Sequence, residues 1–455
     1  MITTSPHTAR SLAAATPVSR DRYADFLRVF SIAVVVLGHW LMAVVTVGDH
    51  GRITAGNALA SVPALQYATW LLQVMPLFFL VGGFAHYTAL AGLHRRGGSY
   101  VDFVRSRVTR LLRPTGVFVT MWLAVALALE LTGRQTGVLA LAVRTVAQPL
   151  WFLGVYLGVM ALAPTMLRWH QRHGVLVPVL LAVTAVGVDA AAFGLDVPAL
   201  RALNIAVVWL AVHQLGYLYA DGTLLATRRI GVAMAIGGLS AVVALTASGT
   251  YPVSMVGMPG EAVSNMNPPT VALLAHAIWL IGLALLMRRP LTRWLQGGRV
   301  WTVVIAANGV VMTVFLWHLT ALFLGYGIWL GLGGSLPAPG SVPWQTRPVW
   351  LAALVLVCLV LVAAFRRAEC SRLVPPGLVP ASGRSAVAAL GAAACCLGVL
   401  GLSATGFGGI LAGRSVTLVV LPMTAPAAAL LVLGGWVVLS HATSSRRSLP
   451  GWTAR

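Results

Sequence analysis

One stretch near the beginning of the chain decides the fold and contains most of the chemistry: residues 22–40 read RYADFLRVFSIAVVVLGHW. Its middle is an apolar run, and similar runs recur along the chain at lengths near the ~20 residues that a helix needs to cross ~30 Å of hydrocarbon. Hydrophobic residues make up 58% of the chain and charged residues 9%, against roughly 25% charged in a soluble domain. We therefore predict an all-α, polytopic integral membrane helical bundle with the lipid bilayer as its main solvent.

The net charge of +21 comes entirely from arginine, since the chain has no lysine. The arginines cluster between hydrophobic runs rather than along one surface, which argues against a nucleic-acid partner. Short arginine-rich loops stay in the cytoplasm, so the pattern predicts a multi-pass plasma-membrane protein with both termini in the cytoplasm. The arginine-rich inner loops fall near residues 95–113, 168–172, 228–229, 288–299 and 366–384.

The hydrophobic runs predict about ten core helices and two C-terminal ones, each near the spanning length. The predicted spans lie near residues 24–47, 63–92, 114–132, 147–167, 174–193, 202–220, 230–248, 269–287, 301–330, 348–365, 385–403 and 415–440. The predicted domains are a disordered cytoplasmic tail (1–20), a membrane domain (21–365), a cytoplasmic linker (366–384), two additional transmembrane helices (385–440) and a cytoplasmic tail (441–455). The first span is expected to act as an uncleaved signal anchor, because no separate apolar segment precedes it.

Arg28 and His39 carry the strongest sign of chemistry in the first span. Eleven helical steps of ~100° bring both side chains to one face, about 16 Å apart along the axis. Asp25 lies three residues before Arg28, close enough to orient the guanidinium. Ionisable groups at membrane depth usually face a polar cavity or the bundle interior, although a lone histidine there can simply bond two helices and a lone arginine can snorkel.

The motif Arg-x10-His in the first helix resembles the signature of the acyltransferase-3 family of membrane enzymes. Four later segments are similar to family motifs in the same order: residues 75–84 (MPLFFLVGGF), 103–114 (FVRSRVTRLLRP), 149–153 (PLWFL) and 315–318 (FLWH). The resemblance extends over roughly residues 20–365. Gly82 stands where many members of the family carry serine, so any role for that hydroxyl is absent here.

The resemblance implies transfer of an acyl group, expected to be acetyl, from cytoplasmic acyl-CoA to a hydroxyl of a carbohydrate, a glycoconjugate or a natural product. Acyl-CoA would be a co-substrate, with no permanently bound cofactor and no metal. Arg107 and Arg110 would bind its phosphates, because guanidinium groups match phosphate oxygens. His39 would remove the hydroxyl proton or accept the acyl group itself, and the sequence leaves both routes open. His318 and Trp151 are possible supporting residues.

Other polar residues and classes of protein stay open as alternatives. Asp189 and Glu130 lie near the outer ends of their helices and are either acceptor-binding groups or solvated charges. Two Pro/Gly-rich loops, residues 251–269 and 333–348, form a substrate mouth or plain connectors. A transporter or flippase fits the helix count and the inner arginines equally well, and an inactive sensor is a third class.

Histidines and cysteines elsewhere are assigned packing roles. His86, His213 and His276 are expected to be structural. The four cysteines have neither metal-site spacing nor a paired framework: Cys358, Cys370, Cys395 and Cys396.

Overall fold

A computed structural model describes residues 9–17, 19–133, 137–258, 260–369, 383–418 and 421–441. Within these residues, 11 helices are long and apolar enough to cross a membrane. A further apolar helix, Ala425–His441, is shorter than a full span. The predicted all-α polytopic bundle is therefore confirmed, and the chain is a multi-pass membrane protein.

The helices are numbered along the chain. They are α1 Ala9–Ala14, α2 Arg22–Met42, α3 Ala58–Ser61, α4 Ala68–Leu72, α5 Met75–Arg95, α6 Tyr100–Leu131, α7 Gly137–Thr145, α8 Leu150–His173, α9 Leu176–Gly194, α10 Asn204–Ala220, α11 Arg228–Ala247, α12 Val271–Trp294, α13 Gly298–Asn308, α14 Val311–Gly331, α15 Arg347–Phe365, α16 Gly383–Thr405 and α17 Ala425–His441. Two short antiparallel hairpins complete the described structure: β1 Ala43–Val47 with β2 Ile53–Asn57, and β3 Ser415–Leu418 with β4 Leu421–Thr424.

Helix α2 ends earlier than the predicted span 24–47. The side chain of Asp21 caps its first turn by accepting a hydrogen bond from the Ala24 amide. After Met42 the chain continues as β1, whose valines and threonine favour an extended backbone. His39 consequently lies in the last turn of α2, next to a hairpin, rather than well inside a longer helix.

Helix α6 begins earlier than the predicted span 114–132. Ser99 and Asp102 form a capping box at its start, which satisfies amides that the first turn leaves free. The helix then continues through Pro114 to Leu131. Arg107 and Arg110 are therefore placed on a helix, where the prediction had an inner loop.

The predicted span 301–330 is two helices, α13 and α14, with Gly309 and Val310 between them. Glycine is a poor helix former, and the break leaves the first amides of α14 without partners in their own helix. The carboxylate of Glu369 accepts hydrogen bonds from the amides of Met312 and Thr313, at 3.0 and 2.9 Å. The start of α14 is thus held by a residue that follows α15.

The predicted disordered tail, residues 1–20, differs from the structure in its second half. Residues 9–14 form α1, which packs against α13. The indole Nε1 of Trp301 donates to the Thr16 hydroxyl at 2.9 Å and fixes the end of this segment. Residues 1–8, 370–382 and 442–455, which include Cys370, most of the predicted linker and most of the final tail, lie outside the described residues.

The two C-terminal helices pack against the flank of the core. Helices α16 and α17 pack on each other, and α16 packs on α8. The Cys396 thiol donates to the Gly154 carbonyl at 3.1 Å. Glu130, at the end of α6, accepts hydrogen bonds from three amides of the loop after α16, those of Gly409, Ile410 and Leu411, at 2.6 to 2.9 Å. Glu130 is therefore a structural anchor for this pair.

Candidate active site

Helices α2 and α14 bring His39 and His318 together. Nδ1 of His39 lies 3.1 Å from Nε2 of His318, and the ring centroids are 5.0 Å apart. His318 is fully buried, whereas His39 is half-buried. The two residues were predicted on separate helices, with His318 as a possible supporting residue, and the structure places them in one hydrogen-bonded pair.

The hydrogen bonds of this pair assign the position of each proton. Nδ1 of His318 lies 2.6 Å from the Phe315 carbonyl oxygen, which can only accept, so this nitrogen donates. Neutral imidazole has one donor and one acceptor nitrogen, so Nε2 of His318 accepts from Nδ1–H of His39. Nε2 of His39 then carries a lone pair. The arrangement leaves His39 ready to accept a proton.

The helix ends around the pair are fixed by two further contacts. The indole Nε1 of Trp40 donates to the His318 carbonyl at 2.8 Å, joining α2 to α14 one residue after His39. The buried guanidinium of Arg347 donates to the carbonyls of Trp40 and Ala43, at 3.0 and 3.3 Å. It satisfies carbonyl groups that the end of α2 leaves free. Both contacts hold in place the end of α2 that carries His39.

At the opposite end of α2, Asp25 holds Arg28. The Asp25 carboxylate accepts from Arg20 Nε at 2.6 Å and from Arg28 Nη2 at 3.3 Å. The Asp25 side chain is 7% exposed and that of Arg28 is 28% exposed. Helix α2 is continuous between Arg28 and His39, so the predicted separation of about 16 Å along one face applies. Asp25 positions Arg28 and does not reach the histidine pair.

Arg28, Arg107 and Arg110 form a cationic cluster around Tyr156. Arg107 lies in the electrostatic field of Arg28 and Arg110, and Arg28 lies in that of Arg110. All three arginines act on Tyr156. Arg107 and Arg110 take part in none of the ion pairs found among the described residues, which join Asp25 to Arg20 and Arg28, His170 to Asp221 and Arg288 to Asp21. Only Arg28 of the three contacts a carboxylate in these ion pairs, that of Asp25, so the cluster has a net positive charge suited to an anionic ligand.

A series of aromatic rings connects the cationic cluster to the histidine pair. The Tyr156 and Phe152 centroids lie 6.0 Å apart on one face of α8. Phe152 lies 5.5 Å from Phe315, whose ring lies 6.0 Å from that of His318. The aromatic series therefore runs from Tyr156 in the cationic cluster to His318 in the histidine pair.

Trp151 does not reach the histidine pair. Its ring lies 6.1 Å from that of Trp209 and 6.2 Å from that of Phe152. Phe152, the next residue of the same PLWFL segment, contacts the aromatic ring next to His318 instead. Trp151 therefore packs beside Phe152, and its predicted supporting role stays a prediction.

Asp189 has a structural role. It is buried and accepts hydrogen bonds from Asn204 Nδ2, from the Tyr251 hydroxyl and from the Val271 amide, at 2.8, 3.2 and 2.8 Å. These contacts connect α9, α10, α12 and the loop 251–269. The predicted alternative of a solvated charge does not apply to Asp189, and its oxygens are already occupied.

The two Pro/Gly-rich loops are held differently. Loop 251–269 is fixed to α4, since the indole of Trp70 donates to the Val253 carbonyl at 2.8 Å. Loop 333–348 lies against the hairpin that follows α2, where the Val47 amide donates to the Pro337 carbonyl at 3.1 Å. The second loop therefore adjoins the His39 end of α2, beside a pocket lined by Gly48, His50, Arg52 and Thr54.

Sequence reasoning missed Tyr156 as a member of the site. Phe152 and Tyr156 are four residues apart and share one helix face, so the spacing after the PLWFL segment was the available signal. Gly82 was noted only for its missing hydroxyl, and its steric role was not predicted: a Cβ atom there would lie 2.8 Å from Cε2 of Tyr156. The glycine in place of serine gives the tyrosine ring its room.

The comparisons with known proteins identify the family of the chain. The acyltransferase-3 model, described as an acyltransferase domain, matches residues 21–366. Neither a curated protein nor a solved structure matches the chain. The match covers more than half of the sequence and contains both polar clusters. The chain therefore belongs to the acyltransferase-3 family and is a membrane acyltransferase of the O-acyltransferase type.

Proposed function

We propose that this enzyme transfers an acetyl group from acetyl-CoA to a hydroxyl of a carbohydrate, a glycoconjugate or a natural product at the plasma membrane, with both termini in the cytoplasm. One observation carries the proposal: a single face of α2 carries Arg28 of the cationic cluster and His39 of the histidine pair. The cationic cluster at Arg28 suits a polyanion, and the lone pair of His39 Nε2 suits a proton acceptor.

The proposed donor lies along α2. Its phosphates bind Arg28, Arg107 and Arg110, and its flexible pantetheine arm extends past Phe152 and Phe315 towards His39. The arm is largely neutral, so an aromatic wall is a suitable neighbour. The thioester then lies at the histidine pair, about 16 Å along the helix from the arginines.

The proposed chemistry uses His39 as a general base. Nε2 removes the proton of the acceptor hydroxyl while the hydroxyl oxygen attacks the thioester carbonyl carbon. The carbon–sulfur bond breaks, and the CoA thiolate takes the proton from His39 Nε2–H. During this step His318 Nε2 accepts a hydrogen bond from His39 Nδ1–H. This bond stabilises the His39 imidazolium, as the aspartate carboxylate does in a hydrolase triad.

The same lone pair could attack the thioester directly and form an acyl-histidine that the acceptor then consumes. The two routes differ in whether label stays on the protein when no acceptor is present. Brief incubation with acetyl-labelled acetyl-CoA, followed by denaturation at neutral pH, distinguishes them: retained label that is absent from His39→Ala supports the acyl-histidine route.

The decisive experiment follows thiol release and transfer of label in membranes that contain the wild type, His39→Ala or His276→Ala, with cell-envelope extract as acceptor. His276 is a matched control because it is also buried in a span, where its Nε2 lies 2.7 Å from the Trp70 carbonyl oxygen. Loss of transfer in His39→Ala alone supports the proposal. Full transfer in His39→Ala contradicts the role of His39, and no consumption of acetyl-CoA by the wild type contradicts the donor.

A further inference from the structure

A second chain of buried polar groups adjoins the cationic cluster and has no part in the chemistry above. The Tyr156 hydroxyl lies 3.2 Å from Nε2 of His86, and Nδ1 of His86 lies 3.0 Å from Nε2 of His213. The three residues belong to α8, α5 and α10. His86 and His213 are fully buried, whereas Tyr156 is half-buried.

The glycines around this chain bring the three helices close enough for it to form. A Cβ atom at Gly83 would collide with the His213 carbonyl, so α5 and α10 pack backbone to backbone at this level. A Cβ atom at Gly82 would lie 2.8 Å from Cε2 of Tyr156. Neighbouring glycines of α5 thus place His86 against His213 and leave room for the tyrosine ring.

The unpartnered nitrogen of His213 indicates in which direction the hydrogen bonds run through His213, His86 and Tyr156. Nδ1 of His213 is buried and has no hydrogen-bond partner among the described residues. If Tyr156 donated to His86, this nitrogen would be a buried N–H without an acceptor, which is rarer than an acceptor without a donor. The favoured direction is therefore His213 Nε2–H to His86, and His86 Nε2–H to the Tyr156 oxygen. The hydroxyl proton of Tyr156 then remains free to be donated.

The surroundings of Tyr156 indicate what accepts that proton. Arg28, Arg107 and Arg110 all act on its hydroxyl electrostatically, and the hydroxyl lies 3.2 Å from His86 Nε2 in a residue that is only half-buried. We propose that the Tyr156 hydroxyl donates a hydrogen bond to a phosphate oxygen of the acyl donor held by these arginines, and that His86 and His213 are positioning residues for it. The inference rests on the proposed function, since it refines the donor site.

The first test measures binding of CoA to the purified full chain in detergent. Tyr156→Phe weakens CoA binding about tenfold, the value expected for one hydrogen bond to a charged group. Tyr217→Phe is the matched control, because the Tyr217 ring lies 4.9 Å from that of His213 but its hydroxyl donates to the Ala163 carbonyl. Unchanged binding in Tyr156→Phe, or an equal loss in Tyr217→Phe, overturns the proposal.

The second test separates positioning from simple packing. His86→Leu weakens CoA binding as Tyr156→Phe does, His86→Gln restores part of it through its amide donor, and the double variant His86→Leu/Tyr156→Phe is no weaker than either single variant. Additive losses overturn the positioning role. Gly82→Ala displaces the tyrosine ring and gives a similar loss, and binding that Gly82→Ala leaves unchanged contradicts the proposed geometry.

The third test distinguishes the two sources of phosphate. Short-chain phosphatidylglycerol is titrated in place of CoA, and a loss on Tyr156→Phe that is confined to the lipid overturns the assignment to the acyl donor. A wild type that binds no CoA contradicts the proposed donor itself. A wild type that binds CoA as tightly as Tyr156→Phe contradicts only the inference about Tyr156.

Discussion

The bundle contains two histidine pairs with almost the same internal geometry and different surroundings. The nitrogens are 3.1 Å apart in His39–His318 and 3.0 Å apart in His86–His213, and the ring centroids are 5.0 and 5.2 Å apart. In the first pair, one end is fixed by the Phe315 carbonyl. In the second pair, one end contacts a tyrosine hydroxyl.

In each pair, the partner at one end, or the lack of one, decides whether the other end offers a lone pair or a proton. A carbonyl only accepts, so the first chain is left with a lone pair at His39. The second chain has an unpartnered nitrogen at its buried end, so it is left with a hydroxyl proton at Tyr156. A histidine pair that offers a free electron lone pair is suited to remove a proton. One that leads to a free hydroxyl proton is suited to bind an anion.

Loss of the lone pair should have the largest effect. We expect His39→Ala to lower kcat about 10²–10⁴-fold, the usual contribution of a general base, with folding retained. Steady-state kinetics with acetyl-CoA in proteoliposomes measures this, alongside His276→Ala. Equal losses in both variants would mean that any buried histidine of the bundle is needed only for folding.

Loss of the orienting partner should have the next largest effect. His318→Leu removes the acceptor for His39 Nδ1–H, and we expect kcat to fall about tenfold to a hundredfold with KM little changed. His318→Gln keeps an acceptor oxygen and should recover part of the rate. A rise in KM without a fall in kcat would place His318 at the donor site instead.

Changes at the cationic cluster should act on donor binding. Arg107→Ala should raise KM for acetyl-CoA about tenfold, because it removes one charged hydrogen-bond donor from the phosphates. Arg95→Ala is the control, since Arg95 lies at the end of α5 and is exposed. An equal rise of KM in Arg95→Ala would mean that both arginines act only through their general positive charge.

A change far from both pairs should have the smallest effect on activity. Glu130→Gln removes the negative charge that three amides of the loop after α16 bind, and we expect about 1–2 kcal/mol less stability. Thermal unfolding and limited proteolysis in detergent measure the loosening of the C-terminal pair. Activity should stay within about twofold of wild type at a temperature where the fold is intact, and a larger loss would connect the pair to catalysis.

The sequence predicted the class, the helical bundle and the relation between Arg28 and His39, because composition and a 3.6-residue period are local properties. The end of α2 at Met42 was missed because the following valines are equally apolar in a helix and in a strand. The break before α14 depends on Glu369, which lies far along the chain. Such contacts leave no local pattern.

The site was predicted in parts and not as an assembly. Arg107 and Arg110 were assigned to the donor on the family resemblance, but their meeting with Arg28 and Tyr156 depends on how α2, α6 and α8 cross. Tyr156 and His86 looked like ordinary interior residues, because a hydrogen bond between helices has no signature in either helix alone. The functional roles of all these residues stay predictions until the variants are measured.

The contact between Glu369 and the start of α14 has a practical consequence for protein engineering. A shortened chain cut at residue 366, where the family match ends, would lack the carboxylate that holds the Met312 and Thr313 amides. A chain cut after residue 369 would keep it. Expression trials that remove the C-terminal helices should therefore place the stop codon beyond Glu369, since the helix that carries His318 is secured from there.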